Sequence, residues 1–241
     1  MGQGGSRQAE DNINTVLGQR AGVLQLVFRL LSLADLKNVS LVSRIWREVG
    51  EPRLWNRGVL RVTRKNTSRV LEALGDNRRL RAVRKLAVNA QRVSEELLKT
   101  VARHQGLRSV NMAYSDLTAL EPRLLATTVT SLENVNLGYS QLTEQQLEAI
   151  FTSLCVGASC LKTLYISHNS LSSIEAGVLA RGVNSLEDVV FHNTQLSQQQ
   201  AEATLTQALR KTSLRRLVMK HEGLDENLVA RAKLAIKTVI V

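Results

Sequence analysis

The chain has 241 residues, with 32 Lys/Arg against 21 Asp/Glu for a formal net charge of +11, and only 3% of its residues are aromatic. That length supports a sizeable core and leaves room for a repeated architecture beside a small accessory unit. Two cysteines, Cys155 and Cys160, are too few for the disulfide scaffold of a secreted repeat protein, and the most apolar run, Val23 to Leu36, is interrupted by Gln25, Arg29 and Asp35, which argues against a membrane span and for a cytoplasmic or nuclear protein.

Residues 1–14 are polar and glycine-rich and read as a disordered leader. Their start, MGQGGSR, fits the myristoylation pattern, with Gly2 as acceptor and Ser6 in place. A single myristoyl chain needs a second signal for stable membrane attachment. The positive charge supplies a candidate: residues 44–108 hold 17 Lys/Arg and 6 Asp/Glu, while the segments on either side are nearly balanced. Membrane attachment is expected only if Gly2 is modified.

Residues 15–57 read as a small helical domain. Leu24, Val27, Phe28 and Leu31 lie at i, i+3, i+4 and i+7 of a first helix, and Ser32 and Asp35 mark a restart. Val39, Val42 and Trp46 line a further face, and Gly50 and Pro52 are expected to end it. Residues 58–82 form a linker with a leading strand, carried by Leu60 and Val62, and a short helix from Thr67 to Leu74.

From residue 83 to 224 one template recurs. Its clearest copy is LKTLYISHNSL, Leu161 to Leu171, with apolar residues at the first, fourth, sixth and eleventh positions and Asn169 at the ninth. Further copies begin at Val83, Leu107, Leu132, Leu186 and Leu214, giving successive periods of 24, 25, 29, 25 and 28 residues. The ninth position is otherwise Gln91, Ser115, Ser140, Thr194 and Glu222. Four segments that follow a template carry the S/T-x-x-E/Q spacing of a helix capping box: Thr118 with Glu121, Thr143 with Gln146, Ser172 with Glu175, and Ser197 with Gln200. Strand then helix, repeated, predicts parallel strands inside and helices outside. Residues 225–241 read as a terminal helix capping the core, with Leu228, Val229, Ala232, Leu234 and Ile236.

Template positions two, three, five, seven and eight face outward on the concave sheet, because side chains alternate along a strand. Tyr114, Tyr139, His168 and His221 fall at position eight, His192 at position seven and Tyr165 at position five, with Asn111, Asn136 and Asn193 close by. Adjacent strands lie about 4.8 Å apart, so Tyr114, Tyr139 and His168 are expected in one continuous row. An exposed row of this kind suits protein binding, and we read Tyr114, Tyr139, Tyr165, His168, His192, Asn193 and His221 as target-binding candidates. The histidines have no carboxylate or thiolate placed to complete a zinc site. Nothing in the chain pairs a nucleophile with a base or cradles a phosphate, so no catalysis and no cofactor is expected. The basic region lacks interleaved exposed aromatics, and no nucleic-acid partner is expected.

The repeated template resembles the leucine-rich repeat. The helical domain resembles an F-box through Val23-Leu24, Phe28, Asp35-Leu36, Leu41-Val42-Ser43-Arg44, Trp46-Arg47 and Leu54-Trp55. The family's Leu-Pro before the first helix is replaced by Gln19-Arg20. The order of the two parts is that of F-box/leucine-rich-repeat proteins. The resemblance implies an α/β leucine-rich-repeat solenoid behind a small all-α F-box-like domain. It further implies a non-catalytic substrate receptor of a ubiquitin ligase, with a Skp adaptor, a cullin scaffold and a target protein as partners. Val23, Leu24, Phe28, Leu31, Asp35, Leu36 and Trp46 are the implied adaptor-binding residues. The alternative is a leucine-rich-repeat interaction module whose F-box is degenerate.

Overall fold

The computed structural model of the chain describes residues 22–39, 41, 44–75, 82–89, 92–157, 159–210, 214–219 and 223–240, with the backbone alone at 39, 44–47, 73 and 75. Among these residues three helices come first: α1 over residues 22–30, α2 (Leu33–Val39) and α3 (Arg44–Arg57). Ser32 breaks α1 and caps α2. Its Oγ accepts from the Asp35 N–H at 3.2 Å and donates to Asp35 Oδ2 at 2.6 Å. Phe28 and Leu36 are the buried centre of this unit, 1% and 0% exposed.

Gly50 and Pro52 do not end the third helix as expected; α3 runs through both to Arg57. Proline removes a donor to the Glu48 carbonyl at a cost of about 3 kcal/mol in a helix interior, but the far end of α3 is fixed independently. Arg57 Nη1 donates to the Leu31 carbonyl at 2.7 Å, and Trp55 packs against the core of the following domain. The stop falls at Gly58, whose N–H donates to the Leu54 carbonyl at 2.7 Å and where a Cβ would sit 2.7 Å from that same oxygen. Only glycine fits that approach.

The rest is one sheet with helices in alternation: β1 (Leu60–Thr63), α4 (Thr67–Gly75), β2 (Lys85–Asn89), α5 (Glu95–Arg103), β3 (Ser109–Asn111), α6 (Pro122–Ser131), β4 (Asn134–Asn136), α7 (Glu144–Cys155), β5 (Thr163–Tyr165), α8 (Ala176–Val183), β6 (Asp188–Phe191), α9 (Gln198–Leu209), β7 (Arg216–Met219), α10 (Glu226–Ala235) and β8 (Thr238–Ile240). Among the described residues the eight strands are all parallel and lie in chain order. The register puts the fourth template position in a single row: Leu60, Leu86, Val110, Val135, Leu164, Val189, Leu217 and Val239. The sixth and eleventh positions join it in a continuous core that runs from Val62 to Ile236. Each fully buried Leu or Val in that core contributes on the order of 1.5–3 kcal/mol.

Two expectations need correction. The segment after residue 224 is not a helix alone. Past Ile236 the chain adds β8 to the sheet, as its β-branched run Thr238-Val239-Ile240 favours. Two of the four capping boxes are present, Thr143 with Gln146 on α7 and Ser197 with Gln200 on α9. The other two are not. After Leu117 and Leu171 the chain makes an extra turn, Leu120 N–H to the Leu117 carbonyl and Ile174 N–H to the Leu171 carbonyl, both at 3.0 Å, and the helix starts later. Glu121 then caps α6, accepting from Arg123 and Leu124, with Pro122 at the first helical position, where no donor is needed. Glu175 caps α8 without a side-chain bond.

The units therefore alternate, and the alternation is coupled. Gln146 and Gln200 are buried, and the amide of each reaches back to the extra turn of the unit before. Gln146 Nε2 donates to the carbonyls of Leu117 and Leu120 at 2.8 and 2.7 Å; Gln200 Nε2 donates to those of Leu171 and Ile174 at 2.8 and 2.5 Å. Buried polar groups are retained where they are satisfied in this way. Asn169 does the same at the ninth position. Its Oδ1 accepts from Leu142 N–H at 3.0 Å, and its Nδ2 donates to the carbonyls of Leu137 and Ile166 at 2.8 and 2.9 Å. Ser115 and Ser140 reach back to one carbonyl each, those of Val88 and Met112. Gln91 and Glu222 lie outside the described residues.

Candidate functional site

Two surfaces stand out, one on each part of the chain. On α1, apolar residues cover more of the circumference than the small domain can bury. The face made by Leu24, Phe28 and Leu31 turns inward, while Val23, Leu26, Val27 and Leu30, themselves at i, i+3, i+4 and i+7, lie exposed. Leu30 is 88% exposed and Leu26 61%. Leu33 and Leu41 add to the exposed apolar area. Isolated apolar side chains on a surface are ordinary, but a stripe at helical spacing marks a face that fits a partner.

This divides the adaptor-binding candidates. Val23 is exposed, Leu24 and Leu31 are half-buried, and Asp35 is exposed but engaged with Ser32. Phe28 and Leu36 are interior in this chain, where they hold the helices together. The side chain of Trp46 lies outside the described residues. Sequence reasoning missed Leu26 and Leu30, because a helix that is apolar on two sides does not tell which side faces in.

The second surface is on the sheet. Template position eight holds Tyr114, Tyr139, His168 and Asn193, each with a left-handed backbone, φ of 61°, 58°, 60° and 53°. The conformation comes from the stacking of turns: Tyr114 N–H donates to the Gly138 carbonyl, Tyr139 N–H to that of Ser167, and His168 N–H to that of His192, at 2.9–3.0 Å. Asparagine tolerates this region, whereas a tyrosine held there costs about 1–2 kcal/mol. The rings align as a result. Tyr114 and Tyr139 stack with centroids 4.6 Å apart and planes 13° from parallel; Tyr139 and His168 stack at 3.8 Å and 16°. His192 closes the far end, tilted on His168 at 5.6 Å, and Asn193 Nδ2 lies 3.4 Å from His168 Nε2. Tyr114 is 72% exposed and Tyr139 43%.

Beside the rings, position five runs Arg61, Ala87, Asn111, Asn136, Tyr165 and Val190 across β1 to β6. Asn111 and Asn136 use Oδ1 to accept from the N–H groups of Ala113 and Gly138, and neither Nδ2 has a hydrogen-bond partner among the described residues. Tyr165 is half-buried and, among the described residues, has no ring contact with the row. At the edge of the row the Thr118 hydroxyl and N–H both donate to Asp116 Oδ1, holding that carboxyl below its ordinary range, with Arg92 adding to the effect. The structure thus brings Tyr114, Tyr139, His168, His192 and Asn193 together and sets Tyr165 one row away. His221 and Gly2 lie outside the described residues.

Among the described residues, no group of His, Cys, Asp and Glu is arranged to hold a metal ion, and no helix is long and apolar enough to cross a membrane. No curated protein matches the chain. Residues 22–61, the three helices together with the start of β1, match the F-box-like family.

Proposed function

We propose that this chain is a substrate-recognition subunit of a Skp–cullin–F-box ubiquitin ligase, its sheet domain a leucine-rich-repeat solenoid that holds the target. The observation that carries the proposal is the exposed apolar stripe on α1, lying within the segment that matches the F-box-like family. F-box domains generally bind the Skp adaptor, and the stripe offers that adaptor a helix face, read as anchors at i, i+3, i+4 and i+7. The ring row on the sheet serves the target. The subunit performs no chemistry: it holds the target near a ubiquitin-loaded enzyme, and proximity supplies the rate gain. The proposal places the protein in the cytoplasm or nucleus.

The test is co-purification of the Skp adaptor and cullin with the tagged full chain. Both are expected with the wild type, and Leu26→Glu with Leu30→Glu is expected to remove them while the melting temperature holds. Absence of adaptor binding by the unaltered chain at micromolar concentration overturns the proposal. Gln19-Arg20, in place of the family's Leu-Pro, favours a second reading for that outcome, an interaction module with a degenerate F-box.

A further inference from the structure

The ring row and the cations beside it carry a statement about what the sheet binds; it rests on the reading that the sheet holds the target. Stacking uses up ring faces. Tyr139 is covered on both sides, by Tyr114 and by His168, so the centre of the row presents ring edges to solvent, and among the described residues no ring covers the face of Tyr114 opposite Tyr139. Aromatic edges carry partial positive charge. The phenol O–H groups and the Nδ2 groups of Asn111 and Asn136, whose Oδ1 atoms are already engaged, are donors as well. The row as a whole therefore calls for acceptors.

Cations gather at the β1–β2 end of the sheet. Arg61 lies in the same row as Asn111 and Asn136, two strands before Asn111, and Lys85 lies in register with Ser109 and Asn134. Arg64 and Lys65 follow directly in the turn after β1. All four are exposed, and none forms an ion pair among the described residues. Toward the other end, Asp188 in β6 is the single carboxylate within the described strands, and Arg216 of β7 lies in register with it.

We propose that the sheet binds an extended acidic peptide segment of the target, laid across β1 to β5 with its carboxylates over Arg61, Arg64, Lys65 and Lys85 and its backbone carbonyls along the ring and asparagine rows. Four strand spacings are about 19 Å, the span of about six extended residues. A single-stranded nucleic acid fits less well, because base stacking needs open ring faces and the central ring, Tyr139, has both of its faces covered.

Selection of random octapeptides displayed against the purified full chain tests the proposal. The selected sequences are expected to be rich in Asp and Glu. The best of them is expected to bind roughly tenfold more weakly to Arg61→Glu with Lys85→Glu, two exposed charges reversed, at an unchanged melting temperature. A parallel loss with Tyr114→Ala and Tyr139→Ala locates the segment on the ring row. Selection without acidic enrichment, or no selection above background, overturns the proposal, and so does homopolymeric uridine RNA binding more tightly than every selected peptide. The adaptor experiment fails or succeeds separately. Acidic bias absent while the adaptor still co-purifies leaves the ligase reading standing and removes only this class of target; acidic bias without the adaptor does the reverse.

Discussion

The two parts of the chain handle mismatched groups in opposite ways. The helical unit leaves apolar residues in water, Val23, Leu26, Val27 and Leu30 on α1, whereas the sheet domain takes polar residues into its interior, Gln146, Asn169 and Gln200. The buried amides are satisfied, each holding at least one carbonyl of the unit before it. The exposed stripe has no such compensation among the described residues. A group that looks misplaced is thus structural where its bonding is complete and points to a partner where it is not.

Substitutions can break that contrast, starting with the interior. Gln146→Leu keeps the volume and removes the bonds to the Leu117 and Leu120 carbonyls and the capping bond from Thr143 N–H; the Leu117 carbonyl keeps Leu120 N–H, so the Leu120 carbonyl and the Thr143 N–H carry the loss, expected to cost about 1–3 kcal/mol and read as a lower midpoint in urea unfolding with the slope unchanged. The ring row gives a smaller and more telling effect. At most positions Ala is more stable than Gly, but at 114 the backbone is left-handed. Tyr114→Gly and Tyr114→Ala lose the same stacking, and the glycine variant is expected to be the more stable by about 1 kcal/mol. If alanine proves the better residue there, the left-handed turn is not present in solution. The smallest effect belongs to the stripe. Leu30→Glu in the isolated chain is expected to change stability by less than about 0.5 kcal/mol, and thermal melts of the two chains should nearly superimpose.

Much of the sheet domain was legible. An apolar pattern at fixed offsets specifies which side chains share a face, and the observed register places the fourth position of every copy in one row. The ring row followed from the same offsets. Helix starts were half legible, because a Ser/Thr-to-Glu/Gln spacing does not show whether a turn intervenes; Pro122, which fits the first turn of a helix, was the available signal that α6 starts after Glu121. The end of α3 was misread because Gly50 and Pro52 are local stop signals that tertiary contacts overrode, while Gly58 held the real one. The exposed stripe was the least legible feature. Periodicity reports that α1 has apolar faces, but which of them is covered depends on α2 and α3, and that information is not local.

The strict chain order of the eight strands bears on how this domain comes into being. Every strand pairs only with neighbours about one unit away in sequence, so each added strand closes a loop of nearly the same short length, and the entropy of closure is paid in equal small steps. No distant segment must find its mate first. Growth can begin at any adjacent pair and spread outward in both directions, and the couplings through Gln146 and Gln200 make the pairs β3 with β4 and β5 with β6 the natural starting seeds. Folding of the sheet domain should then resemble the closing of a zipper from its middle, with amide protection appearing earliest around residues 109–136 and 163–191 and last at β1 and β8.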